Sequence, residues 1–242
     1  MTRPVLLAAL TSAALLGGGA IWYGAAGAQE AEGEAATGVQ AAPEATATEE
    51  AAPAEQATAE APDPAAIEEM SQGAEDAPVT VIEYASFTCP HCAAFHGDQY
   101  QRLKDEYIDN GQVRYVFREV YFDRFGLWAS MVARCGGEMR FFGLTEMLYE
   151  KQRDWIGEGE PAAIAENLRR IGRTAGMDDA TIDACMQDEA KAEALVAWFQ
   201  GNAEADGIEA TPTLIINGEK HSNMPYEELK AIIDAELAEA AE

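Results

Sequence analysis

Two cysteines three positions apart, in the run Cys89-Pro90-His91-Cys92, constrain this chain more than any other feature, because of what flanks them. Upstream, Val79-Thr80-Val81-Ile82-Glu83-Tyr84 is rich in β-branched residues and lies between Pro78 and Ser86, the pattern of a buried strand. Downstream, His96, Tyr100, Leu103 and Tyr107 recur at helical spacing, which predicts one helix ending at Asn110-Gly111. The pair therefore sits where a strand gives way to a helix. A thiolate at a helix N-terminus meets free amide N–H groups and the positive end of the helix dipole. His91 adds a donor or a positive charge beside Cys89, and Pro90 fixes φ in the first turn. The helix end and the imidazole both lower the thiol pKa. A stabilised thiolate favours the reduced form and makes the corresponding disulfide a strong oxidant.

The remaining pattern splits in two. Gln112–Val120 alternates Val113, Tyr115 and Phe117 as a second strand, so the start is β-α-β. Over 123–206 helical patterns dominate, with segments around Trp128–Cys135, Met139–Lys151, Pro161–Ile171, Asp179–Met186 and Ala190–Ala205. Strand character returns at Thr213–Ile216, followed by an Asn217-Gly218 turn from which Lys220 onward can pair back. Pro225–Glu242 closes as an amphipathic helix with Leu229, Ile232, Ile233 and Leu237 inward. The expected fold class is α/β: residues 77–122 and 207–242 form one domain, with an all-helical insertion at 123–206.

The N-terminal third reads differently. Arg3 followed by an apolar run to Tyr23 and the Ala26-Gly27-Ala28 site predicts an export signal over 1–28, either cleaved or kept as a membrane anchor. Either way the folded part is expected outside the cytoplasm, where cysteine pairs stay oxidised. Residues 29–76 carry many acids among Ala, Thr, Pro and Gly, with one Val, one Ile, one Met and no aromatic residue. Such a stretch buries too little to offset its ordering entropy, so a disordered acidic linker is expected. The whole chain has a formal charge of −27. That excludes nucleic-acid binding through clustered basic residues and docking on anionic lipid.

With these residues in place, the chain resembles the thioredoxin superfamily, and within it the DsbA-like exported thiol–disulfide oxidoreductases. The resemblance rests on Val79–Ser86 leading into Cys89-Pro90-His91-Cys92, on the helical insertion, and on Thr211-Pro212-Thr213 before the last strands. It covers about residues 77–242 and implies a thioredoxin fold. It also implies roles. Cys89 would be the exposed attacking cysteine and Cys92 the buried resolving partner. Pro212 would be a cis-proline facing the disulfide, with Thr211 touching the sulfurs. Glu83 would be the buried acid beneath the pair that helps proton transfer at Cys92. The resemblance further implies reduced exported proteins as substrates and a DsbB-type, quinone-linked membrane oxidase as partner, with no metal and no organic cofactor. Thr211 is a departure: the best-known oxidases of this type carry Val there, whereas isomerases share Thr. Isomerases of this kind dimerise through a folded N-terminal module, which residues 29–76 look unable to supply.

Other readings stand beside these. The Cys pair could be half of a zinc site, completed by Cys135, Cys185, His96 or His221, although no second close pair exists. A metal-binding or chaperone module would follow from it. Haem attachment requires His after the second Cys, where Ala93 stands. Cys135 and Cys185 each fall on an apolar helix face, as a structural disulfide or as two buried thiols. His96, on one face with Tyr100 and Leu103, reads as a packed structural histidine.

Overall fold

The structure is a computed structural model that describes residues 63–242. The leader over 1–28 and most of the acidic stretch lie outside the described residues. The end of that stretch does not behave as a linker. A 3-10 turn at Pro64–Ala66, capped by the Asp63 side chain, leads into strand β1, Met70–Gln72. Ile67 and Met70, the aliphatic residues of this segment, are buried. Glu69 pairs with Arg118 at 2.6 Å, and the Glu68 carbonyl accepts from Arg134 at 2.8 Å. The end of the expected linker, residues 63–76, therefore belongs to the folded part. Composition averaged over the stretch concealed two apolar anchors and partners supplied from far along the chain.

β2, Val79–Ala85, is followed by α1, Pro90–Gly97, and α2, Gln99–Leu103, which runs into a π-helical turn at Lys104–Ile108. The single helix expected here is broken at Asp98, whose φ of −136° and ψ of −69° are not helical. Gly97, a poor helix former, immediately precedes the break. β3, Val113–Glu119, comes next. The chain then forms α3, Arg124–Cys135; α4, Glu138–Glu150; α5, Gln152–Ile156; α6, Pro161–Thr174; α7, Asp179–Met186; and α8, Glu189–Ala205. β4, Thr213–Ile216, β5, Glu219–Ser222, and α9, Tyr226–Ala240, complete it.

The sheet order is β1-β3-β2-β4-β5, with β2 and β3 parallel and the other neighbours antiparallel. This is the α/β class expected. β2 lies in the centre and its register sets the site: Val81 pairs with Tyr115, and Glu83 with Phe117 on one side and Leu214 on the other. The two-residue period of a strand places Val81, Glu83 and Ala85 on one face, toward α1 and the helical insertion. The insertion shares this core. Phe87 meets Tyr149 at 5.3 Å between ring centroids, and Phe117 meets Phe141 at 5.8 Å. Burying several aromatic side chains, each worth about 1.5–3 kcal/mol, fastens the insertion over the strand–helix junction.

One buried ion pair makes the same connection. Arg134 on α3 donates to both oxygens of Glu119 at the end of β3, at 2.6 and 2.7 Å, while also holding the Glu68 carbonyl. Such a pair adds little net stability over apolar residues, but removing one partner strands a buried charge.

Candidate active site

Cys89 is the N-cap of α1, with Pro90 at the first helical position. Its sulfur accepts the Cys92 N–H at 3.4 Å, and as a thiol it donates to the Thr211 carbonyl at 3.5 Å. The Thr211–Pro212 peptide bond is cis, at the head of β4. The three elements of the expected site therefore meet: the helix cap, the proline loop and, beneath them, β2.

The two sulfurs differ in environment. Cys89 is 8% exposed and Cys92 is fully buried. Cys89 is more covered than the exposed nucleophile the sequence suggested, because the Thr211 backbone lies against its sulfur. The Cys89 thiol is lowered to about 5, chiefly by the hydrogen bond from Cys92, with help from Thr211 and the backbone N–H groups of Cys92 and His91. Burial opposes the shift without cancelling it. The Cys92 thiol moves far above its usual range, first through burial, then through its hydrogen bond to Cys89 and the charge on Glu83.

His91 acts differently from expectation. Its side chain is exposed, and among the described residues no hydrogen bond joins its imidazole to Cys89. What it gives Cys89 is its backbone amide, one of the free donors of the first helical turn.

Glu83 is fully buried at mid-strand. Its Oε2 accepts from the Tyr115 hydroxyl and lies 3.0 Å from His96 Nε2. His96 is thus more than a packing residue. Its ring stacks on Tyr149 at 4.2 Å and tilts against Tyr100 at 4.6 Å. The i, i+4 spacing from Cys92 turns His96 toward the same core.

Gln152 was not foreseen. From α5 its side-chain amide donates to the Phe87 and Cys89 carbonyls, both at 2.9 Å. The insertion thereby clamps the loop that presents Cys89. Asp123 adds a second tie, accepting from the Thr88 hydroxyl at 2.8 Å while capping α3. Nothing local in the sequence marks Gln152; only the packing of the insertion brings it there. Cys135 and Cys185 are joined, with Cα atoms 5.9 Å apart, linking the end of α3 to α7.

Comparison with known proteins agrees with this geometry. The thioredoxin family model matches residues 65–235. A Rickettsia bellii protein provisionally named a protein-disulfide oxidoreductase is 32% identical over 173 residues, 71% of this chain and 66% of its own. Disulfide bond formation protein D of Bacillus subtilis is 29% identical over 176 residues, 68% of this chain and 75% of its own. Among solved structures, α-DsbA1 of Wolbachia pipientis superposes with a TM-score of 0.67 at 26% identity, covering 72% of this chain and 92% of that one. The chain spans less than two thirds of the length of the rickettsial relatives, 66% for R. bellii and 62% for R. felis. A family match across most of the described residues, together with a helix-capping Cys-x-x-Cys opposite a cis-proline, shows that this chain belongs to the thioredoxin family, as a DsbA-like member.

Proposed function

We propose that the protein is an exported thiol–disulfide oxidoreductase that donates a Cys89–Cys92 disulfide to reduced exported proteins. The observation that carries this reading is the split between the two thiols: Cys89 is lowered to about 5 while its partner, three residues on, is held protonated. A thiol that ionises near 5 in the folded protein, against 9.0 ordinarily, stabilises the reduced state progressively as pH rises from about 5 to 9. That stabilisation is lost as pH falls through 5. At neutral pH the disulfide is therefore the form that gains by being given away.

In the reaction, a substrate thiolate attacks Cys89, the Cys89–Cys92 bond breaks, and Cys92 leaves with the electron pair and takes a proton. A second substrate thiol then displaces Cys89, so the substrate leaves oxidised and the enzyme reduced. Thr211 and Pro212 form the edge along which the substrate backbone pairs. Reoxidation falls to a DsbB-type quinone-linked membrane partner, and the leader over 1–28 delivers the chain to the compartment where both meet. The names of the relatives, protein-disulfide oxidoreductase and disulfide bond formation protein D, support this reading.

The test is a trap. Cys92→Ser should accumulate mixed disulfides with exported proteins on non-reducing gels, and Cys89→Ser in the same background should abolish them. Adducts that persist without Cys89 would reject its role. Thr211 favours a second reading, disulfide isomerase or reductant on the same fold. Alkylation trapping in cells separates the two: an oxidase is found oxidised, an isomerase or reductant reduced.

A further inference from the structure

The proton that Cys92 needs has no direct route from water. Cys92 and Glu83 are both fully buried, and Glu83 Oε1 has no hydrogen-bond partner. His96 is the group that joins this interior to an opening. Its Nε2 lies 3.0 Å from Glu83, its Nδ1 has no partner, and its ring lines a cavity of about 240 Å³ between α1 and α4. Gln101, Glu146 and Glu150 line the same cavity, which is ample for several waters.

We propose that His96 is the positioning residue that carries protons between water in this cavity and Glu83, and so supplies Cys92 each time the Cys89–Cys92 bond opens. The inference rests on the oxidoreductase reading and deepens it. In a neutral imidazole one nitrogen carries hydrogen and the other accepts. With Nε2–H donating to Glu83, Nδ1 is the acceptor. A proton enters at Nδ1 from the cavity and another leaves at Nε2 to the carboxylate.

The step balances as follows. The substrate sulfur bonds to Cys89, and the electron pair of the broken bond stays on Cys92. The protonated Glu83 carboxyl, which no hydrogen bond joins to Cys92, passes it a proton through a bridging water. His96 then restores the proton on Glu83. Reduction of a substrate disulfide runs the same path backward.

The groups around the ring single it out. Tyr100 from α2, Tyr115 from β3 and Tyr149 from α4 are held above the usual phenol range, first by burial. Tyr100 donates to Gln72 and Tyr115 to Glu83, the Tyr149 hydroxyl has no partner, and none of the three exchanges protons near neutral pH. Cys92, on the same helix as His96, is held protonated. Glu146 and Glu150 line the cavity side of the ring, where acids concentrate protons. The Tyr149 and Tyr100 rings hold the imidazole plane in place.

The test uses the full chain and glutathione, with exchange in either direction followed by acid-quenched flow between pH 5 and 9. His96→Phe keeps the aromatic stack and removes the nitrogens. We expect the step that protonates Cys92 to slow at least about tenfold, with a changed pH profile. In His96→Ala, added imidazole should restore the rate. Pyrazole, of the same shape but far less basic, should not. A wild-type rate and profile in His96→Phe, or equal rescue by pyrazole, would overturn the proposal. If the variants do not fold, imidazole ¹⁵N NMR of the wild type decides: the His96 signals should move on reduction of the Cys89–Cys92 disulfide, and fixed signals would contradict the relay. A wild type that exchanges nothing sinks this inference and the oxidoreductase reading together. An active wild type indifferent to His96→Phe sinks this inference alone.

Discussion

The molecule holds two cysteine pairs that have almost nothing in common but sulfur. Cys89 and Cys92 are three residues apart on the first turn of α1, facing a cis-proline and standing above a buried carboxylate. Cys135 and Cys185 are 50 residues apart and tie α3 to α7 inside the helical insertion. The first pair is free in this structure, with one thiol lowered and the other raised. The second closes a long loop and touches none of the groups that polarise the first. Reactivity is therefore a property of the surroundings: helix end, proline loop and buried acid. Stabilisation is a property of how much chain a bond restrains.

The largest effect should separate the pairs by activity. Cys89→Ser is expected to abolish thiol–disulfide exchange. Near pH 5, where the thiolate contributes little, it should leave the reduced protein's urea midpoint almost unmoved, with a loss that grows as pH rises toward 9. Retained exchange would erase the distinction from one side. Replacing both Cys135 and Cys185 by Ala should do the reverse. In the chain-entropy account, a closure of this length is worth about 4 kcal/mol, read in urea unfolding. Below the unfolding transition, exchange at Cys89 should run at the wild-type rate. A loss of exchange in the folded double variant would mean that the two pairs are coupled through the insertion. The smallest effect sharpens the reactive side. The Thr211 side chain works toward lowering Cys89 and opposes the rise of Cys92, so Thr211→Val should raise the Cys89 pKa from its value of about 5. The shift should be about one to two units, the net worth of a single hydrogen bond to a charged group. Thiolate absorbance against pH reads it directly.

These contrasts also show what the sequence could convey. The reactive pair was legible because its chemistry is local: a β-branched run, two cysteines and a helical periodicity lie within thirty residues, roughly one βαβ unit. Pro212 was legible only through resemblance, since nothing near it names its distant partner. The convergence of Glu83, His96 and Tyr115 was half visible. Glu83 stood out as a carboxylate in an apolar strand, whereas the pairing of His96 needed the register of β2 against β3 and the packing of α1. β1 was hidden because three residues in an acidic stretch carry no periodicity, and their order comes from pairing with β3 and from Arg118 and Arg134. Gln152 left no trace for the same reason: its partners are backbone carbonyls more than sixty residues away in sequence. His91 was overread, because an imidazole beside a cysteine suggests a contact that the helix turns outward.

The central claim is that one environment splits two neighbouring thiols. The most direct measurement is the rate of iodoacetamide modification of each cysteine in the reduced protein across pH, resolved by mass spectrometry. Cys89 should react at a rate that is level from about pH 9 down to 6 and drops with a midpoint near 5, while Cys92 stays unmodified throughout. A Cys89 midpoint close to 9.0, the ordinary thiol value, or equal modification of both residues would contradict the account.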